Sequence, residues 1–188
     1  MKLLRRPKLA VPPLDLSRVV LRPYDSQSLT YNRFTCGKIP LDRFIKSKAK
    51  KETKRLEQKV FVATLADSSN CIGYFALQLG SDSVPNLAKN ELKHLQNRVA
   101  FPAVHMSYLG VDLTCQGQGL GTLLLMEAFE KTARISEVAG FHALTLQSID
   151  SESTAFYTKI GFTEYSSGGT QPKMLYPIQN ILKVTGRD

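Results

Sequence analysis

Gln116-Gly117-Gln118-Gly119-Leu120-Gly121-Thr122 carries the clearest chemical signal in the chain. It follows a run that reads as a strand, Ala103 to Val111, and it opens an apolar segment with the spacing of a helix. A glycine-rich turn between strand and helix leaves backbone N–H groups free at the positive end of the helix dipole, which suits a phosphate or pyrophosphate. A P-loop needs Lys-Ser or Lys-Thr after its last glycine, whereas Gly121 is followed by Thr122-Leu123. A Rossmann loop follows Gly-x-Gly-x-x-Gly in the first strand-turn-helix of a doubly wound domain. Here the glycines stand at 117, 119 and 121, well past the middle of the chain. The spacing that fits is Gln/Arg-x-x-Gly-x-Gly/Ala, met by Gln116, Gly119 and Gly121. A second chemical element is Ala155-Phe156-Tyr157-Thr158-Lys159-Ile160-Gly161-Phe162, where a tyrosine projects from a short helix.

These groups need a scaffold, and the chain reads as one domain over 1–188 of the α/β (α+β) class. Residues 1–13 read as an irregular arm, with Pro7, Pro12 and Pro13 opposing regular structure. Val19 to Arg22 forms a first strand. A helix starts at Ile39-Pro40, with an apolar stripe of Leu41, Phe44, Ile45 and Ala49 and with Lys46, Lys50 and Lys54 off that stripe. Lys59 to Ala66 and Cys71 to Leu79 are paired strands joined by Asp67-Ser68-Ser69-Asn70. Residues 80–102 read as an insertion or substrate-side flap, with a helical pattern over Val84 to Gln96. After the strand 103–112 and the glycine loop come a long helix over 121–138 and a strand over Ala143 to Ser148. The Tyr157 helix follows, capped by Asp150 or Ser151 and stopped by Gly161, and 173–184 returns as a last strand.

On Gln116/Gly119/Gly121 and on the Phe156-Tyr157…Gly161-Phe162 element, the chain resembles the GNAT superfamily of acyl-CoA-dependent N-acetyltransferases. The resemblance implies a mixed central sheet flanked by helices on both faces, with acetyl-CoA as co-substrate. By the same resemblance, Gln116, Gly117, Gln118, Gly119, Leu120, Gly121 and Thr122 hold the pyrophosphate, and Leu109, Gly110 and Val111 line the pantetheine arm. Tyr157 becomes the catalytic acid for the departing thiolate. The run Phe34-Thr35-Cys36-Gly37-Lys38-Ile39-Pro40-Leu41-Asp42-Arg43-Phe44-Ile45 is similar to a signature of the GNAT toxins of bacterial type II toxin–antitoxin systems, which acetylate aminoacyl-tRNA. That likeness implies aminoacyl-tRNA, a ribbon-helix-helix antitoxin and a second copy of the chain as partners. One departure stands out: those toxins often carry Arg-Leu-Ala-Val-Asp on the cofactor strand, where this chain has Tyr108-Leu109-Gly110-Val111-Asp112.

Charge agrees with a polyanionic partner. Residues 1–60 hold 16 Lys/Arg against 5 Asp/Glu, and nine of those basic residues fall between Lys38 and Lys59. Lys46, Lys50 and Lys54 are the candidate nucleic-acid contacts. Three scattered cysteines without histidine partners exclude the usual metal spacings, so no metal site is expected. No apolar run reaches membrane length and no signal peptide is visible, so the expected location is cytoplasmic. The cofactor strand offers no carboxylate over 103–111, only His105, Ser107 and Tyr108. An α-amine, with a pKa of about 7.7–8.0 against about 10.4 for lysine, needs little help from a base, so the missing carboxylate favours an α-amine acceptor. The function read here is acetyl transfer from acetyl-CoA to a primary amine, foremost the α-amine of aminoacyl-tRNA. A housekeeping N-acetyltransferase of small or protein amines and a non-catalytic acyl-CoA-binding protein remain as alternatives.

Overall fold

The computed structural model describes residues 13–83, 99–166 and 171–187. Seven strands form one sheet: β1 (Val19–Pro23), β2 (Lys59–Leu65), β3 (Gly73–Ser83), β4 (Ala100–Val111), β5 (Ala143–Gln147), β6 (Thr163–Ser166) and β7 (Lys173–Pro177). Their order is β1-β2-β3-β4-β5-β7-β6. Every neighbouring pair is antiparallel except β4 and β5, which run parallel. That parallel ladder is short, pairing only Ala103, Val104 and His105 with Ala143, Leu144 and Thr145. Beyond it the two strands separate, and the sheet opens.

Helices cover both faces, as expected. On one face α3 (Leu120–Ser136), α4 (Ser151–Ile160) and α5 (Ile178–Val184) close a core that includes Val104, Met106, Leu124, Leu125, Phe129, Tyr157 and Ile181. On the other face lie α1 (Ile39–Arg43), a π turn (Phe44–Lys48) and α2 (Ala49–Lys54). The predicted stripe of Leu41, Phe44, Ile45 and Ala49 is buried there against Val60, Val62 and Tyr74. Steps of four residues overshoot an α-helical turn by about 40° each, and a wider π turn absorbs that drift and keeps Ala49 inward. A smaller cluster of Phe101, Ala103, Ala143, Tyr165 and Leu175 fills the second face at the β4–β6 end.

β4 carries an irregularity that changes which side chains face which core. Tyr108 pairs with Ala76 and Met106 with Leu77, so Ser107 is an extra, unpaired residue. Before it, Val104 and Met106 face the α3 core; after it, Leu109 and Val111 do, and Tyr108 turns to the α1 side.

Two segments differ from the sequence reading. Residues 173–184 are a short strand followed by α5, because Pro177 (φ −59°, ψ 142°) ends β7 and caps a helix whose Ile178 and Ile181 are buried at i and i+3. The expected insertion over 80–102 shrinks, since 80–83 extend β3 and 100–102 begin β4 in register, Gly80 to Ser83 against Ala103 to Ala100. The remainder of that segment, with its helical pattern, lies outside the described residues, as does most of the expected N-terminal arm.

Candidate functional site

The glycine loop is shaped by side chains that turn away from its mouth. The Asp112 carboxylate accepts the N–H of Thr35 (3.0 Å), the N–H of Thr114 (3.0 Å) and the Thr114 hydroxyl (2.7 Å), which starts the turn after β4. Gln116 Nε2 donates to the carbonyls of Val111 and Cys36, each at 3.0 Å. Gln118 accepts the Leu14 N–H and donates to the Thr114 carbonyl. Leu120 is fully buried in the α3 core. The side chains of Gln116, Gln118 and Leu120 are thus engaged within the protein, leaving their backbone at the loop's mouth, and Thr122 stands exposed beside them. Gly117 and Gly119 sit at φ +71° and +86°, and Gly119 caps α3 without any side-chain cap hydrogen bond. The result is a helix N-terminus with its first turn unroofed by side chains, the geometry that binds phosphate.

Gly119 tolerates no side chain. An L-residue at φ +86° is strained by about 1–2 kcal/mol, and a Cβ would also lie 3.2 Å from Leu16 Cδ1. Gly119→Ala is expected to weaken acetyl-CoA binding about 10-fold, measured by calorimetric titration. An unchanged affinity would mean that the loop does not hold the donor.

Where β4 and β5 part, a cleft of about 270 Å³ opens between them. Leu109 and Tyr157 line it together with Pro40 and Leu41 of α1 and with Ile149 and Ser153. Gly110 and Val111 do not line it. Gly110 backs onto Tyr74 and Phe34: a Cβ there would lie 2.9 Å from Tyr74 Cε1 and 3.3 Å from Phe34 Cζ. This explains the glycine where the toxin pattern has alanine, because the aromatic cluster fills the space. Tyr108, where that pattern has arginine, stacks on Phe44 with ring centroids 3.7 Å apart.

Tyr157 is delivered by a well-terminated helix. Asp150 caps α4 in a reciprocal capping box with Ser153, and Gly161 ends it at φ +111°. Lys38 reaches the same cap, with Nζ 2.6 Å from Asp150 Oδ2, so the loop before α1 is clasped to the start of α4 at the rim of the cleft. The Lys38 ammonium, followed by the Ser153 backbone N–H, holds the Asp150 carboxyl down at about 2. The Tyr157 ring packs edge-on against Phe156 and Phe162 and is 7% exposed. Its hydroxyl has no hydrogen-bond partner among the described residues, and burial pushes its pKa above the usual tyrosine value. Phe156 in turn lies 3.6 Å from the Cβ position of Gly121, which sets α4 alongside the glycine loop. Loop, Leu109 and Tyr157 thus converge, although the loop and the tyrosine are far apart in sequence.

A second cleft, of about 260 Å³, adjoins the first across the split and shares Met106, Ser107, Leu146 and Gln147 with it. Asp82, His105, Thr145 and Lys173 furnish its other side. His105 Nδ1 is hydrogen-bonded to Thr145 Oγ1, and burial lowers the pKa of the imidazole. The Asp82 carboxylate accepts the Tyr165 hydroxyl and Lys173 Nζ (2.9 Å). Sequence reasoning missed this group, since Asp82 meets its partners across 83 and 91 residues and no local pattern announces them.

The marker run Phe34 to Asp42 has a structural role. Asp42 accepts the Cys36 N–H (2.8 Å) and the Thr35 hydroxyl (2.9 Å), and Gly37 turns at φ +81°. That turn seats Pro40 and Leu41 on the cleft rim and launches the helical stretch on which Lys46, Lys50 and Lys54 are all exposed. Among the described residues no cluster of His, Cys, Asp and Glu could hold a metal, and no helix is long and apolar enough to cross a membrane.

Comparison with known proteins agrees with this geometry. The chain is 28% identical over 174 residues to a protein of Sinorhizobium fredii (strain NBRC 101917 / NGR234) named probable toxin TacT, covering 89% of this chain and 95% of that one. It is 27% identical over 129 residues to a tRNA-acetylating toxin of Mycobacterium tuberculosis (strain ATCC 25618 / H37Rv), covering 69% and 75%. Its fold matches that of AtaT complexed with acetyl-methionyl-tRNAfMet, with a TM-score of 0.78 at 19% identity over 89% of this chain and 99% of that one. Residues 57–164, which span the strand, glycine turn and helix and the Tyr157 helix, match the acetyltransferase (GNAT) domain, and the chain belongs to the GNAT acetyltransferase family.

Proposed function

We propose that the protein transfers acetyl from acetyl-CoA to the α-amine of aminoacyl-tRNA, as a toxin-type inhibitor of translation working in the cytoplasm and held in check by a ribbon-helix-helix antitoxin. The observation that carries the reading is the placement of the basic helical stretch. It begins at the rim of the cleft that holds Tyr157, through Pro40 and Leu41, and continues as a row of exposed lysines. A tRNA acceptor end entering the cleft meets those lysines with its backbone phosphates, contacts that position rather than specify. The relatives named for toxin activity and tRNA acetylation support the same substrate class.

The chemistry follows from the residues at hand. The glycine loop holds the pyrophosphate of the donor, and the open margin of β4 at Leu109 receives its pantetheine arm. The neutral amine attacks the thioester carbonyl, a C–N bond forms, and the C–S bond breaks as the tetrahedral adduct collapses. Tyr157 gives its phenolic proton to the leaving sulfur, and the proton lost by the amine passes to solvent and in effect restores the phenol. Among the described residues that line the Tyr157 cleft there is no carboxylate or imidazole to act as a general base. An α-amine, substantially neutral just above pH 7, fits that economy and a lysine side chain does not.

The test is transfer of labelled acetyl to charged and uncharged tRNA. Label is expected only on the aminoacyl moiety. Reversing Lys46, Lys50 and Lys54 to Glu together should raise the KM for charged tRNA by about 10²-fold or more with little effect on acetyl-CoA affinity, and should flatten the salt dependence. Label on small amines or protein amines but never on tRNA would favour a housekeeping acetyltransferase instead.

A further inference from the structure

The second cleft lies on the face away from Tyr157. Ala103 and His105 are two apart on β4, as Ala143 and Thr145 are on β5, so His105 and Thr145 share the face of the Phe101–Tyr165 cluster. The two clefts meet at Ser107, the extra residue of the β4 irregularity. An amine that attacks a carbonyl held beside Tyr157 and Leu109 must come through this junction, and whatever is attached to the amine's carbon occupies the second cleft.

The walls of that cleft are polar but electrically balanced. Asp82 and Lys173 form an ion pair of their own at 2.9 Å, and Tyr165 and the Ser83 N–H complete the carboxylate's partners. His105, neutral and tied to Thr145, adds no charge. Among the described lining residues only Met106 and Leu146 are apolar. Gln78 and Gln147 line the space, Gln147 Nε2 donating to the Gln171 carbonyl at 3.1 Å, and the Ser107 hydroxyl is buried at the junction with no hydrogen-bond partner. A buried hydroxyl left unpaired carries a free-energy cost that a ligand able to bond it removes.

Resting on the acetyl-transfer reading above, we infer that the acceptor is an amino acid whose side chain is neutral and hydrogen-bonding, a hydroxyl or a carboxamide, with Ser107 as the specificity-determining residue. An aliphatic side chain would leave the buried Ser107 hydroxyl unpaired and cover the Gln78 amide, whereas a hydroxyl or carboxamide can bond them. A charged side chain would have to break the Asp82–Lys173 pair or lie buried beside it uncompensated.

The experiment compares near-isosteric acceptors: threonine with valine and asparagine with leucine, each first as the amino-acid methyl ester and then as the charged tRNA, with lysine and aspartate esters alongside. The expected kcat/KM is about 10- to 100-fold higher for the polar member of each pair. In Ser107→Ala the threonine-to-valine ratio should fall to within about 3-fold of unity; the ratio is insensitive to any general loss of activity, which affects both members. Equal or better turnover of valine and leucine, or a preference for lysine or aspartate, would overturn the inference and leave acetyl transfer to aminoacyl groups standing. Polar preference among the esters with no transfer to any charged tRNA would uphold the pocket assignment and remove the tRNA reading. Absence of transfer to every ester and every charged tRNA would overturn both.

Discussion

Tyr157→Phe is expected to lower kcat for acetyl transfer by about 10²- to 10⁴-fold while leaving acetyl-CoA affinity within about 2-fold. The ring keeps its packing on Phe156 and Phe162, and the hydroxyl it loses bonds no described residue, so the variant should melt at the wild-type temperature or slightly above. Burial raises the phenol's pKa, so the donor form is the one populated throughout the working range. The rate therefore has no falling alkaline limb from this group near neutrality, and it rises with pH through about 7.7–8.0 as an α-amine loses its proton. For stability the sign is that of any raised pKa: the contribution of the neutral phenol is complete below about pH 10, where the unfolded tyrosine ionises, and is lost as pH climbs beyond it. Single-turnover transfer across pH 6–9 reads the rate and its pH dependence, calorimetric titration the acetyl-CoA affinity, and thermal melting up to pH 11 the stability. A Phe variant with full kcat would mean that the thiolate leaves without this proton and would sink the assignment.

Phe44→Ala is expected to cost about 3–5 kcal/mol, a large share of the stability of a domain this size. Phe44 is fully buried, stacked on Tyr108 at an interplanar angle of 13° and packed near Tyr74, whose hydroxyl donates to the Leu41 carbonyl at 2.8 Å. One ring thus ties the π turn of the basic stretch to the cofactor strand. Thermal melting should fall by about 2–4 °C for each kcal/mol, and Phe44→Leu should recover most of the loss. At temperatures where the variant remains folded, its KM for charged tRNA should rise more than its KM for acetyl-CoA, because the lysines move with the helix and the glycine loop does not. A loss under about 1 kcal/mol would show that the stretch is not anchored through Phe44.

What could be read from the sequence is what is encoded locally. The glycine loop, the caps at Asp150 and Gly161 and the buried stripe Leu41/Phe44/Ile45/Ala49 follow from spacing within a few residues and stand where spacing put them, and the family implied by the resemblance of two short motifs is the one the chain belongs to. The strand expected over 173–184 failed because Leu175, Ile178, Ile181 and Val184 supply the β-branched and aliphatic content of a strand, while the deciding residue is one proline. The direction of the Gln116 and Gln118 side chains depends on what lies opposite, here Cys36 and Leu14, and no local pattern reports that. The second cleft stayed hidden for the same reason: Asp82, Tyr165 and Lys173 come from three strands, and only the sheet order brings them together.

The three-rung ladder between β4 and β5 has a further meaning. Strand margins with open N–H and C=O groups normally sit at the outside of a sheet, where any extended chain can add to them and where aggregation begins. In this protein two such margins lie in the middle of the sheet, facing each other across a gap lined by Pro40, Leu41, Ile149 and Ser153. The fold thereby takes the stickiest surface a sheet can have away from its outer strands, β1 and β6, and sets it inside the molecule.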